Sequence, residues 1–163
     1  MKKTETLKKA LLYALGGLIL LRLVLGFLNN ALGLEIFLFA KGQLLFELLI
    51  YALMAIDATV LTFVVSKDKK SRITALIACF AVVCLMAGIY ANYISKTNFY
   101  YDKSPFSERK LIIIENAKEI SFYTFDKGVF TKYTGNRFTT DTEYLLRDYE
   151  HGIYWLNNDN ILL

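Results

Sequence analysis

Residues 66–72 read SKDKKSR, a short polar and mostly basic stretch between two long hydrophobic runs. Leu44–Val65 precedes this stretch and Ile73–Ile94 follows it. Each run is long enough to cross a bilayer core of about 30 Å at about 1.5 Å per helical residue. The pattern therefore predicts two transmembrane helices joined by a basic hairpin.

A third apolar run, at residues 10–28, follows a basic head that ends at Lys9. A cleaved signal peptide is the alternative, because Ala31 and Gly33 make a small-x-small cleavage pattern. The apolar run is longer than a typical signal core and contains Arg22, so we expect an uncleaved anchor. The transmembrane region then covers residues 1–95, with spans at about 10–28, 44–65 and 73–94.

The distribution of positive charge predicts the orientation. Short loops that keep Lys and Arg stay in the cytoplasm. The head and the hairpin carry four basic residues each, whereas Asn29–Gln43 between the first two spans carries only Lys41. We therefore expect a multi-pass cell-membrane protein with a cytoplasmic N-terminus and an extracytoplasmic C-terminal domain. The Lys-, Asn- and Tyr-rich, proline-poor composition is typical of a bacterial protein.

The basic sequence pI near 9.0 does not indicate nucleic-acid binding. Residues 1–95 hold ten Lys and Arg against five Asp and Glu, a net charge of +5, and residues 96–163 hold nine against ten, a net charge of −1. The excess lies beside the apolar spans, where it contacts lipid, and the polar tail lacks a basic stripe. No motif for a nucleophile, a metal or a phosphate occurs, so we expect no enzyme, no cofactor and no metal site.

The tail from residue 110 to 163 changes to an extended pattern after a linker at 96–109 that contains the single proline. Leu111–Ile114 is β-branched, and Glu119–Phe125 alternates loosely with aromatic residues. Two acid-x-Gly turns, at 126–128 and 150–152, indicate hairpins. The predicted fold class is three transmembrane α-helices followed by a small antiparallel β-sheet domain, an α+β membrane protein with about five to seven strands.

Residues 141–151 are ambiguous between a strand and a helix. Thr140 and Glu143 have the spacing of a capping box, and Gly152 could end a helix. The repeated acid-x-Gly turn favours strands, and that is the prediction adopted.

Three ionisable residues fall inside the predicted spans, where a charged group is costly and is usually partnered. Arg22 and Glu47 lie near the outer ends of the first and second spans and are predicted to pair. Asp57 lies near the middle of the second span with no basic residue at its depth. Arg22 and Glu47 are candidates for contact with a substrate or an ion, and the alternative is that they join the two helices or extend to the membrane surface. Asp57 is a candidate proton-coupling or ligand site, and the alternative is a neutral acid hydrogen-bonded between helices.

The tail is too rich in aromatic residues for one sheet face to hide them all. The second face is expected to pack on the membrane or on Asn29–Gln43, or to bind a partner. The candidates for partner binding are Tyr123, Tyr133, Tyr149, Tyr154 and Trp155. The predicted function is binding of a protein or peptide by the extracytoplasmic module, as in sensor, immunity or accessory subunits. The alternative is an oligomeric small transporter that uses Asp57, Glu47 and Arg22.

Overall fold

The computed structural model describes residues 2–37, 42–106, 108–125, 129–148, 154–156 and 161–162. The chain divides into two compact units. The helical unit comprises Met1–Leu28 and Leu44–Ala91, and the sheet unit comprises Asn29–Gln43 and Asn92–Leu163. Three long apolar helices and a five-stranded antiparallel sheet agree with the predicted α+β layout.

The helices α1 (Lys2–Leu32), α2 (Gln43–Val65) and α3 (Lys69–Lys96) contain the three predicted spans. All three are long and apolar enough to cross a membrane. Their surfaces expose large apolar side chains such as Leu20, Leu53 and Phe80. In water such surface costs about 25 cal/mol per Å², so this pattern is typical of helices that face lipid.

The SKDKKSR stretch begins α3 through Asp68. The Asp68 carboxylate accepts hydrogen bonds from the Ser71 hydroxyl at 2.8 Å and from the backbone N–H groups of Ser71 and Lys70 at 2.9 and 3.2 Å. These hydrogen bonds hold the pKa of Asp68 below its usual value, and the bond from the Ser71 hydroxyl has the largest effect. Asp68 is thus an N-cap that satisfies the free N–H groups of the first turn.

The same stretch ends α2 through Arg72. The Arg72 guanidinium donates to the carbonyl oxygens of Ser66 at 2.9 Å and of Phe63 at 3.0 Å. These carbonyls lie at the end of α2, where no intrahelical donor is available. The basic hairpin therefore caps both of the helices that it joins.

The sheet has the order β1-β5-β4-β3-β2, and every neighbouring pair is antiparallel. Its strands are β1 (Leu34–Ile36), β2 (Thr97–Lys103), β3 (Lys110–Asn116), β4 (Glu119–Phe125) and β5 (Phe130–Thr139). The predicted strands at 111–114 and 119–125 are confirmed. The turn predicted at 126–128 lies outside the described residues, although the strands on either side of it pair.

The strand β1 comes from the connection between α1 and α2. α1 ends because Gly33 adopts φ 62° and donates its N–H to Asn29 O at 2.9 Å, a left-handed helix end. Leu34–Ile36 then pairs with residues 130–132 of β5. The segment 29–43 therefore belongs to the sheet unit, although the sequence predicted it as part of the transmembrane region 1–95.

The strand β2 follows α3 without a gap, since α3 ends at Lys96 and β2 begins at Thr97. This strand replaces half of the linker that the sequence predicted at 96–109. Phe99 and Tyr101 of β2 pack against Phe37, with ring centroids 5.7 and 5.8 Å from that of Phe37.

Both faces of the sheet carry packed side chains. On one face Leu111, Ile113, Ile120 and Phe122 form a buried cluster. On the other face Ile112 is fully buried, and Phe37, from the α1–α2 connection, covers Phe99 and Tyr101. Of the three explanations offered for the excess of aromatic residues, packing on Asn29–Gln43 is the one observed here.

The prediction of strands at 141–151 is wrong for residues 145–148, which form a short helix, α4 (Leu145–Asp148). The rest, 149–151, lies outside the described residues. Leu145 and Leu146 pack on the buried cluster of the sheet, and Leu146 N–H donates to the Glu115 carboxylate at 2.6 Å. A buried acceptor that is distant in sequence thus stabilises one helical turn here. The short strands β6 (Tyr154–Trp155) and β7 (Ile161–Leu162) form a separate antiparallel pair.

Candidate functional site

The predicted pair of Arg22 and Glu47 is present in the helical unit. Arg22 Nη2 lies 3.2 Å from Glu47 Oε2, and Arg22 Nε donates to the Tyr51 hydroxyl at 2.9 Å. The guanidinium also lies 5.6 Å from the centroid of the Tyr51 ring. One cation thus ties α1 to two successive turns of α2.

Two members of this cluster were not identified from the sequence. Tyr51 lies four residues after Glu47, the spacing that places two helical residues on one face. Gly26 lies four residues after Arg22, and a Cβ at Gly26 would come 3.3 Å from Arg22 Nη1. A side chain at position 26 would therefore crowd the guanidinium, which makes Gly26 part of the site.

The Arg22 cluster is suited to joining two helices. Both side chains of the ion pair are mostly buried, with 28% and 21% of their surfaces exposed. Truncating one partner of such a pair leaves a poorly solvated charge behind, whereas keeping both holds the register of the helices. A role for Arg22 or Glu47 in contacting a substrate or an ion stays a prediction.

Asp57 differs from Arg22 and Glu47 because no described residue hydrogen-bonds to its side chain. Its Oδ2 atom is buried and has no hydrogen-bond partner in the described part of the chain. Thr59 and Thr62, the nearest polar residues that follow it on α2, donate to Ala55 O at 2.8 Å and Ala58 O at 2.9 Å of their own helix. An unpartnered buried carboxyl oxygen is rare in folded proteins and marks a candidate site.

A groove of about 260 Å³ runs between α2 and α3. Thr59 Oγ1 also lies 3.4 Å from Ala75 O across this junction, so the two helices approach closely. Asp57 is not among the residues that line the groove. Its walls are the small side chains Ala55, Ala58, Thr59, Thr62, Ala75, Ala78, Cys79 and Val82.

In the sheet unit the structure brings together two of the five predicted partner-binding residues. Tyr123 and Tyr133 are directly paired across β4 and β5, with ring centroids 5.4 Å apart. Burial is the main cause that raises the pKa of Tyr123 to about 12, and the charge of Glu35 adds to it. Tyr123 is therefore a neutral, half-buried ring, and Tyr133 is the more exposed member of the pair.

The other three candidates lie apart from this pair or outside the description. Tyr154 lies on β6 and is 62% exposed. The backbone of Trp155 lies on β6, and Tyr149 lies outside the described residues. Their role in binding stays a prediction.

The segment Lys132–Thr139, here called the exposed segment of β5, is the most exposed part of the five-stranded sheet. Thr131 is fully buried, whereas every residue from Lys132 to Thr139 is exposed. A bulge lies within this segment, because Ser121 pairs with Arg137 while Tyr123 pairs with Tyr133. Gly135 lies inside the bulge with φ 85°, a conformation that favours glycine. Phe138 beyond it is 52% exposed, with its ring centroid 5.6 Å from that of Phe122.

No family model, curated protein or solved structure matches the chain. Among the described residues no three His, Cys, Asp or Glu side chains cluster as metal ligands would. Function is therefore inferred from two features of the molecule, the exposed segment of β5 and the polar side chains within the helices.

Proposed function

We propose that this chain is a small integral membrane protein of the cell membrane whose sheet unit binds a protein or peptide partner on the extracytoplasmic side. One observation carries the proposal, namely the exposed segment of β5. The inner part of the sheet is covered by Phe37 on one face and by α4 on the other. Lys132–Thr139 instead presents two large rings to solvent, those of Tyr133 and Phe138.

Exposed aromatic rings on a rigid strand are typical of binding surfaces. Tyr and Phe are enriched at the centres of protein interfaces, where they bury much area with little loss of side-chain freedom. The rings of Tyr133 and Phe138 each contact a second ring, that of Tyr123 or Phe122, so their positions are fixed before a partner binds. Fixed positions reduce the entropy that is lost on association.

One feature supports the orientation in this proposal, and a second supports its three spans. The hairpin at 66–72 carries four basic residues, which favours the cytoplasmic side for the α2–α3 connection. The strand β1, from the α1–α2 connection, pairs with β5 of the C-terminal region. Three spans would put that connection and the C-terminal region on the same side of a membrane, so the strand pairing agrees with three spans.

A photo-cross-linking amino acid at Phe138 tests the binding surface in intact cells. Phe106 is the matched control, because it is also a phenylalanine of the sheet unit and is 57% exposed. We expect discrete cross-linked products from position 138 and none of the same mass from position 106. Identical products from both positions, or none from position 138, would contradict binding at β5.

Asp57 supports a second candidate function, in which an oligomer of this chain moves protons or ions. The observation in its favour is the buried and unpartnered Oδ2 atom. If this function holds, liposomes that contain the wild-type protein show a pH-dependent flux, and Asp57→Asn reduces it to background. Asp68→Asn is the control, because it makes the same substitution at an aspartate that lies in the exposed hairpin between α2 and α3. A monomer, or a flux unchanged by Asp57→Asn, would exclude this candidate.

A further inference from the structure

One edge of the sheet already accepts a strand along part of its length. The strand β1 pairs with Phe130, Thr131 and Lys132 of β5 and ends there, because Gly33 turns the chain away at φ 62°. No described strand pairs with the outer edge of β5 from Tyr133 onward. The remaining edge is thus continuous with an established antiparallel pairing.

The hydrogen-bond pattern shows which backbone groups face outward. Thr140 N–H donates to Lys118 O at 2.8 Å, which makes these two residues a hydrogen-bonded pair of the β4–β5 ladder. Such pairs alternate along antiparallel strands. Phe138 therefore bonds to β4, whereas the N–H and C=O groups of Arg137 and Thr139 point away from it.

The side chains along this edge define what an added strand would meet. Phe138 pairs with Ile120 and exposes about half of its ring on the face that carries the buried cluster. Arg137 lies on the opposite face and forms an ion pair with Glu119, which offsets its positive charge. The bulge at Gly135 separates this edge from β1 and limits the regular part to Arg137–Thr139.

We propose that the partner docks as an added β-strand along Arg137–Thr139 and places an apolar side chain against the exposed face of Phe138. The occupant is an extended segment of another polypeptide, since the same edge of β5 already binds an extended segment of this chain. Main-chain hydrogen bonds supply the attachment, and the Phe138 ring supplies the selectivity. The inference rests on the proposed binding function and specifies the form of the partner.

Peptides selected for this surface test the proposal. Short random peptides displayed on phage are selected on the full-length protein in detergent and counter-selected on Phe138→Lys. Their affinity is then measured for wild type, Thr139→Ala and Thr139→Pro. Thr139→Pro removes one outward N–H and obstructs the edge, so we expect peptide binding to weaken roughly tenfold or more. Thr139→Ala keeps that N–H and should bind like wild type.

A second measurement does not depend on how Thr139→Pro folds. Hydrogen exchange on the wild-type protein should slow at the amides of Arg137 and Thr139 when a selected peptide binds. Peptides that bind all three proteins equally and leave these amides unprotected would overturn strand addition but leave the proposed function standing. A failure to select any peptide sensitive to Phe138→Lys would contradict the binding surface itself. Two copies joined through β5 would overturn the assignment of a different polypeptide as the occupant.

Discussion

Replacing Glu115 with alanine is expected to destabilise the sheet unit by about 3 kcal/mol. Glu115 is fully buried, and its carboxylate accepts hydrogen bonds from Leu146 N–H at 2.6 Å, Tyr100 OH at 3.0 Å and Asn98 Nδ2 at 3.2 Å. Each buried donor left without an acceptor costs about 1–3 kcal/mol. Loss of the desolvation cost of the carboxylate offsets part of this sum.

The hydrogen bonds of Glu115 also join segments that are distant along the chain. Asn98 and Tyr100 lie on β2, Glu115 on β3 and Leu146 on α4. Without the carboxylate, α4 loses the acceptor at its first turn, and the packing of Leu145 and Leu146 on the sheet weakens. We therefore expect α4 to exchange its amide hydrogens faster than the rest of the sheet unit in Glu115→Ala.

Glu119→Ala is the matched control, because it makes the same substitution in the same hairpin. Glu119 forms an ion pair with Arg137, but nearly half of its side chain is exposed, so its loss should cost less than about 1 kcal/mol. Urea unfolding of the full-length protein in detergent, followed by hydrogen exchange of β3 and β4, measures both variants. Equal unfolding midpoints for the two variants would show that the buried network does not stabilise the sheet unit.

The sequence was sufficient to predict elements whose cause is local. The three helices follow from apolar length, the strands β3 and β4 from β-branched and aromatic residues, and the pair of Arg22 and Glu47 from depth along two adjacent helices. In each case the residues that determine the structure are the residues that adopt it.

Two of the elements that were missed, β1 and α4, depend on partners distant in sequence. β1 exists because residues 34–36 find the edge of β5, nearly a hundred residues later. α4 has only four residues, and its first turn relies on Glu115, which looked like one acidic residue among many. Propensity cannot indicate either element, because the stabilising contact is absent from the local sequence.

Among the candidate site residues, too, some could be identified from the local sequence and others could not. Asp57 was identified because a carboxyl group in an apolar run stands out, and the structure adds that its Oδ2 has no described partner. Tyr51 and Gly26 were missed because a tyrosine and a glycine in an apolar helix are ordinary until an arginine is placed beside them. The exposed segment of β5 could not be inferred, because exposure depends on which strands and side chains of the rest of the chain cover it, and the bulge within it depends on how β4 and β5 pair.

Cysteine labelling in intact cells is expected to show one position that is protected from an impermeant reagent and two that react with it. Cys79 and Cys84, the free cysteines of α3, are first replaced by serine to remove background. A cysteine in place of Ser71 should then react with a membrane-impermeant maleimide only after the cells are permeabilised. Cysteines in place of Asn30 and Asn136 should react in intact cells. All three positions are exposed, so access to the reagent and not burial decides the result.

The three positions test the charge argument and the strand pairing separately. Ser71 reports on the basic hairpin, which the positive charges of residues 66–72 should retain in the cytoplasm. Asn30 lies at the end of α1, shortly before β1, and Asn136 lies within β5. Because β1 pairs with β5, the cysteines at these two positions should be labelled alike. Labelling of Ser71→Cys alone in intact cells would invert the proposed orientation and leave the fold intact. Different behaviour of Asn30→Cys and Asn136→Cys would instead contradict the β1–β5 pairing in the membrane, and with it the sheet edge on which partner binding is proposed.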